Sequence, residues 1–307
     1  MKVKYADIQS LIIQEPRALC IGFFDGVHLG HQALIKETVR LATEAGITAS
    51  MLTFAEPPRS VVSGHKQPLI TDNETKIKLV ESFGISEIIV VEFDRDIMSL
   101  SAEDFIHKFL KPFEIKELIC GFDFTFGKNG SGTADSLVKM QDLPFNVHVI
   151  PAVNIDGAKV ASSRIVDLIQ KGEIKEANAL LGYTFAITGK VIHGLKNGQE
   201  LGYPTANLAL KDYVHPKNGV YASRIIIGNQ TYYGMSNVGV RPTISLVKEP
   251  LLEVNIFDFK HDLYGKKIEV QLLDFIREEQ KYANKCELQA QLSRDKERIM
   301  SCISTLK

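Results

Sequence analysis

The sequence predicts an α/β protein of two parts, a doubly wound parallel sheet followed by an antiparallel closed β-barrel with a terminal helix. Three observations support this. Up to residue 182, short apolar runs alternate with segments of helical period. The runs, such as Ile88-Ile89-Val90-Val91, show no polar alternation, the pattern of strands covered on both faces. After Gly182 the texture changes to alternating strands divided by glycine-rich turns. The chain thus divides into residues 1–182 and 183–307, and 307 residues with 45% apolar content suffice for two cores.

In the first part, strands are expected at 18–24, 48–54, 87–93, 117–121 and 146–151, and helices at 32–45, 73–83 and 102–110. Ser101, followed three residues later by Asp104, supplies a helix start. In the second part, strands are expected at 184–192, 219–227, 230–238, 251–259 and 267–275. The closing segment 286–304 is an amphipathic helix that turns Leu288, Leu292, Ile299 and Ile303 towards the barrel. No internal repeat or low-complexity tract interrupts this order.

A net charge of −1 argues against nucleic-acid binding through bulk electrostatics. Cys20, Cys120, Cys286 and Cys302 are scattered, without a C-x-x-C pair, so neither a zinc site nor a disulfide framework is expected. Residues 1–14 lack a signal-peptide core, and no 18-residue apolar stretch occurs. A soluble cytoplasmic protein with no membrane partner is the expectation, and nothing in the sequence specifies an oligomer.

Chemistry enters where the first long apolar run ends, at Gly22-Phe23-Phe24-Asp25-Gly26-Val27-His28-Leu29-Gly30-His31. Glycines let the backbone approach a ligand, and the amides that open the following helix suit phosphate. His28 and His31 would lie beside the reacting phosphorus, where positioning and charge neutralisation do most of the work. The stretch resembles the first motif of the bacterial bifunctional riboflavin kinase/FMN adenylyltransferases, or FAD synthetases. The resemblance implies a Rossmann-like nucleotidyltransferase domain, with Gly22, Phe23, Asp25 and Gly30 at the nucleotide.

A second loop, Gly121-Phe122-Asp123-Phe124-Thr125-Phe126-Gly127, follows a buried strand. Its phenylalanines suit either an apolar slot for a planar ring or a cluster closing the sheet edge. It is similar to the family's G-[FY]-D-F-x-F-G motif, which implies flavin contacts from Asp123, Phe124 and Phe126. Two stretches depart from the family pattern. Ala161-Ser162-Ser163-Arg164-Ile165-Val166 matches S-S-T-x-I-R with Val166 in place of the phosphate-binding arginine, although Ser163 and Arg164 are still expected at the nucleotide. Around a helix, Arg164 points about 160° away from position 166. Pro57 replaces the histidine of T-F-D-P-H-P.

In the second part, Gly194-Leu195-Lys196-Asn197-Gly198-Gln199-Glu200-Leu201-Gly202-Tyr203-Pro204-Thr205-Ala206-Asn207 joins a glycine-rich loop to two neutral oxygen donors. Thr205 and Asn207 suit Mg2+ shared with phosphate, while Pro-Thr-Ala-Asn alone also suits a strand entry with an Asx turn. The stretch resembles the P-T-A-N motif of riboflavin kinases, which implies that Gly194 and Gly202 embrace ATP. Gln199 stands where the family's loop has arginine.

The expected motifs follow in order, with Gly219-Val220-Tyr221-Ala222, Asn237-Val238-Gly239-Val240-Arg241-Pro242-Thr243, Glu253-Val254-Asn255 and Asp262-Leu263-Tyr264-Gly265. Glu253 matches the catalytic base, a carboxylate that takes the proton of an attacking hydroxyl. Arg241 suits either phosphate binding or a stiffened loop. Arg277-Glu278-Glu279-Gln280-Lys281-Tyr282 is similar to R-x-E-x-K-[FY], which implies Arg277 and Glu279 near the flavin; the same residues also suit a barrel cap.

The resemblance covers residues 17–300. It implies a bifunctional enzyme that phosphorylates riboflavin to FMN with ATP and Mg2+, then adenylylates FMN to FAD. Its partners are the small molecules riboflavin, FMN and ATP. Two other readings are a kinase with an impaired adenylyltransferase domain and a non-catalytic flavin or nucleotide sensor.

Overall fold

A computed structural model describes residues 1–6, 15–193, 203–210, 212–240 and 250–304. They form two compact units, one of Met1–Gln67 with Asn73–Ala161 and one of Pro68–Asp72 with Ser162–Lys307. The first runs β1 (Lys2–Ala6), β2 (Arg17–Ile21), α1 (Leu29–Ala45), β3 (Thr48–Phe54), α2 (Pro58–Ser63), α3 (Asn73–Ser82), β4 (Glu87–Val91), α4 (Arg95–Ser99), α5 (Ala102–Asp104), β5 (Ile115–Gly121), β6 (Thr125–Phe126), β7 (Gly132–Thr133), α6 (Ala134–Lys139), β8 (Asn146–Ile150), β9 (Asn154–Ile155) and β10 (Ala158–Lys159).

Six of these strands pair in the order β1-β4-β3-β2-β5-β8, all parallel. Successive side chains alternate between two cores. Leu19, Ile21, Leu52, Ile89 and Leu118 pack with Phe105 and Phe109 on one face. Ala18, Cys20, Met51, Ile88 and Ile119 pack with Leu34 and Ile35 of α1 on the other. Each such fully buried Leu or Ile stabilises by about 1.5–3 kcal/mol, which is why apolar residues dominate the central strands.

The expected helix 102–110 is composite. Ser101 Oγ accepts from the Asp104 N–H at 3.0 Å, but Phe105–Leu110 widen into a π-helix that buries Phe105, Ile106, Phe109 and Leu110. Strand β1 lies outside the predicted pattern because Lys2, Val3, Lys4 and Tyr5 form a sheet edge and lack a buried run. The chain leaves β2 for β3 on one side and returns to β5 on the other, so β2 and β5 flank the topological switch point. In doubly wound sheets ligands bind there, beyond the carboxyl ends of the strands.

The second unit contains α7 (Ser162–Lys171), α8 (Ile174–Leu181), β11 (Ala186–Lys190), β12 (Ala206–Ala209), β13 (Gly219–Ile227), β14 (Gln230–Val240), β15 (Pro250–Ile256), β16 (Lys267–Arg277) and α9 (Lys285–Ser304). Its sheet is antiparallel in the order β11-β16-β13-β14-β15-β12. The Ile192 N–H donates to Asn207 O at 2.9 Å and joins the two ends into a nearly closed barrel. Ile299 and Ile303 of α9 pack on Val220, Ala222, Met235 and Phe257, so the helix lies against one outer face. Gly219, at φ 147°, lets β13 approach β16, because a Cβ there would meet Arg277 O at 2.4 Å.

Candidate active sites

At the switch point, the turn after β2 is backbone-strained. Phe24 (φ 57°), Gly26 (φ 78°) and Val27 (φ 36°) all have positive φ, and for a β-branched valine that conformation is costly. Packing holds it. Phe24 and Val27 are buried, and Gln32 Nε2 donates to Val27 O at 2.9 Å. The product of this strain is a pair of stacked imidazoles, His28 and His31, with centroids 3.7 Å apart. His28 caps α1, its Nδ1 accepting from the His31 N–H at 3.3 Å, so the neutral ring carries its proton on Nε2. Gly30 makes room for that ring, since a Cβ there would lie 3.1 Å from His28 Cε1.

Burial pushes His28 down to about 4. His31 is held well below the usual histidine range, first by burial and then by the charges of His28, Lys76 and Lys159. Near neutral pH both rings are uncharged hydrogen-bonding groups. The loop after β5 lies on the neighbouring strand. In it, Asp123 pairs with Lys159 of β10, and the Lys159 ammonium lies 4.6 Å from the centre of the exposed Phe122 ring. Asp123 and Lys159 both act electrostatically on His28, so the loop and the histidine turn share one site. Phe126 is buried in the sheet core and stacks on Phe124, while Phe122 is the ring turned to solvent. Ser163 and Arg164 lie in the first turn of α7, in the second compact unit. Pro57 precedes α2 and Pro58 opens it, where proline suits the first helical turn.

In the second unit, β-register aligns the expected kinase residues. Asn207 of β12 lies opposite Glu253 of β15, which lies opposite Asn237 of β14; Asn237 pairs with Val220, and Val220 with Arg277. This row crosses the barrel's outer face. Beside it is a pocket of about 300 Å³ whose lining includes Thr205, Asn237, Glu253, Arg277, Glu279 and Leu292. Asn255 Nδ2 donates to Pro204 O at 2.8 Å and ties the P-T-A-N segment to β15. Asn207 is buried, and its Nδ2 makes a long 3.5 Å contact with Thr205 O. A threonine hydroxyl and an asparagine amide oxygen are hard neutral donors, a set that fits a divalent ion shared with phosphate.

Arg277 is fixed from behind. Its Nε lies 3.0 Å from both carboxylate oxygens of Asp295 and its Nη2 2.7 Å from Oδ2, so β16 and α9 are locked together. Glu279 accepts from Asn237 Nδ2 at 3.0 Å. Gly194, Gln199, Gly202 and Arg241 lie outside the described residues.

The FAD synthetase family model matches residues 11–164, and the riboflavin kinase model matches residues 181–303. The bifunctional riboflavin kinase/FMN adenylyltransferase of Bacillus subtilis is 36% identical over 304 residues, covering 96% of each chain. The chain belongs to this bifunctional family. The Escherichia coli K12 member is 34% identical and covers 92% of this chain and 91% of its own. A crystal structure from Streptococcus pneumoniae, described as a macrolide-efflux protein, superposes with TM-score 0.90 at 31% identity and covers 97% of this chain and 98% of its own. Among the described residues no helix is long and apolar enough to cross a membrane.

As a bifunctional riboflavin kinase/FMN adenylyltransferase family member, the chain carries a kinase and a nucleotidyltransferase. Enzymes of both kinds use ATP with a divalent metal. Several site groups carry no sequence signal of their own. Lys76 and Lys159 come from a helix and a hairpin remote from the motifs, and Asp295 reads as one more charge on an amphipathic helix. Only burial distinguishes Lys76 and Asp295, at 2% exposure each.

Proposed function

We propose that residues 183–307 phosphorylate riboflavin to FMN and residues 1–182 adenylylate FMN to FAD, in the cytoplasm, where the four cysteines stay free thiols. The observation that carries the reading is the row Asn207, Glu253, Asn237 beside an apolar-walled pocket, in a chain that also holds a neutral histidine pair at the switch point of a parallel sheet.

In the kinase step Glu253 accepts the proton of the ribityl 5′-hydroxyl as that oxygen attacks the γ-phosphorus and ADP departs. Thr205 and Asn207 would hold Mg2+, which neutralises phosphate charge when bound. Gly194 and Gly202 embrace ATP, and Arg277 and Glu279 border the flavin. In the second step an FMN phosphate oxygen attacks the α-phosphorus of ATP and pyrophosphate leaves. His28 donates from Nε2 to a phosphate oxygen, His31 stacks behind it, and Gly22, Phe23, Asp25 and Gly30 shape the nucleotide turn. Ser163 and Arg164 keep the nucleotide role that the family resemblance implies. Asp123 and Phe124 meet the flavin, with Phe126 backing them.

The test is a chromatographic time course of riboflavin, ATP and Mg2+ with the full chain. FMN should appear first and FAD second. Glu253→Gln should slow FMN formation by about 10²–10⁴-fold while FAD still forms from added FMN. His28→Ala should do the reverse. FMN accumulation without FAD in the parent chain would reduce the protein to a kinase.

A further inference from the structure

The strained turn that presents His28 begins at a carbonyl held by two side chains from other elements. Phe23 O accepts from Thr53 Oγ1 of β3 at 3.0 Å and from Lys76 Nζ of α3 at 3.1 Å. The same ammonium lies 4.3 Å from the centre of the Phe23 ring. Lys76 is among the buried charged residues, at 2% exposure. Burying an ammonium carries a desolvation cost, and a surface helix gains nothing from turning its lysine inward. The ammonium holds the start of the turn: the next residue, Phe24, enters the left-handed region, and Val27 lies at positive φ as well.

We propose that Lys76 is a positioning residue for adenylyl transfer: with Thr53 it pins the Phe23 carbonyl, and so holds the turn that sets the two imidazoles against the reacting phosphate. The proposal rests on the adenylyltransferase reading of this site. Unlike Thr53, Lys76 also brings charge. The charged and titratable groups that act on His31 are His28 of the turn, Lys76 of α3, and Lys159 of β10, which pairs with Asp123. Burial does most to keep His31 unprotonated and the cation at Lys76 adds to it, so removing that cation shifts protonation of His31 to higher pH.

The experiment compares Lys76→Met, Lys76→Arg and Thr53→Val in the full chain. It measures FAD formation from FMN, ATP and Mg2+ across pH, and FMN formation from riboflavin on the same preparations. Lys76→Met should lower kcat for FAD formation by about 10–100-fold, the range for losing a charge-assisted hydrogen bond. It should also move the acid limb of the profile upward and leave FMN formation intact. Thr53→Val should lower kcat without moving the limb, and Lys76→Arg should keep the limb in place.

Wild-type rate and profile in Lys76→Met would overturn the proposal, as would a rise in KM for ATP with kcat retained. If Lys76→Met loses FMN formation too, Lys76→Arg decides, and a shifted limb in that variant would overturn the proposal. A parent chain that makes FMN but no FAD would instead remove the adenylyltransferase reading itself.

Discussion

Asp295→Ala tests the kinase pocket through a residue absent from its lining. The Asp295 side chain is 3% exposed and that of Arg277 15%, and both carboxylate oxygens are engaged at 2.7–3.0 Å. Gln291 Nε2 adds a further donor to Oδ1 at 2.8 Å. Removing one partner of a buried pair costs about 3–5 kcal/mol, mostly because the other charge is left behind without its counterion. Arg277 retains some solvent and a bond from Nη1 to Glu278 O at 2.9 Å, which places this variant near the lower end, about 3 kcal/mol. For a unit of this size that corresponds to a fall of about 6–12 °C in the midpoint of thermal loss of kinase activity. Arg277, Leu288 and Leu292 all line the pocket, so the KM for riboflavin should rise as α9 loosens. FAD formation from FMN, read on the same samples, should keep its rate. Replacing both partners by apolar residues, Arg277→Met with Asp295→Leu, should recover most of the stability but not the KM. An unchanged midpoint and an unchanged riboflavin KM in Asp295→Ala would refute the reasoning.

Two further outcomes concern the first unit. His28 ordinarily titrates near 6.5 and is pushed down to about 4 in the fold, so between those values the unfolded chain binds the additional proton. Stability from this group is therefore fully present above pH 6.5 and is lost as pH falls towards 4, by about 3 kcal/mol in all. Urea unfolding followed through FAD-forming activity at pH 5 and pH 7.5 should show the loss, and His28→Gln should lessen it, with His31, also held low by burial, keeping part of the slope. In Gly30→Val the new side chain would meet the His28 ring, whose Cε1 and Nδ1 lie 3.1 and 3.2 Å from the added Cβ. A displacement of that ring by an ångström should cost about a hundredfold in FAD formation, with FMN formation unchanged, in paired product assays.

Legibility in the sequence followed burial. Strands β3 and β13 coincide with their expected spans because each carries a long, mostly buried run. Strand β1 escaped notice because an edge strand need not be apolar, and β12 is too short for its four residues to show a period. The His28/His31 turn and the Glu253 strand drew attention because each is a local motif, its residues within a few positions of one another. The pairing of Asn207, Glu253 and Asn237 was not, because barrel register is a relation between distant segments. Asp295 was invisible for the same reason: its meaning is Arg277, eighteen positions earlier.

Val166 and Pro57 remove charge-bearing side chains from two familiar motifs, yet the histidines do not lie in a neutral setting. Lys76 and Lys159 both act on His31, one from α3 and one from β10, and neither occupies a motif position. Phosphoryl and nucleotidyl transfer require positive charge near the oxygens that gain electrons, not a particular residue at a particular place in the chain. Lys76 on a helix and Lys159 on a hairpin bring positive charge near His31, and the imidazoles stay unprotonated first because they are buried and then because of that like charge. The loss of one arginine from a motif is therefore weak ground for inferring a dead site where the fold delivers cations from other elements.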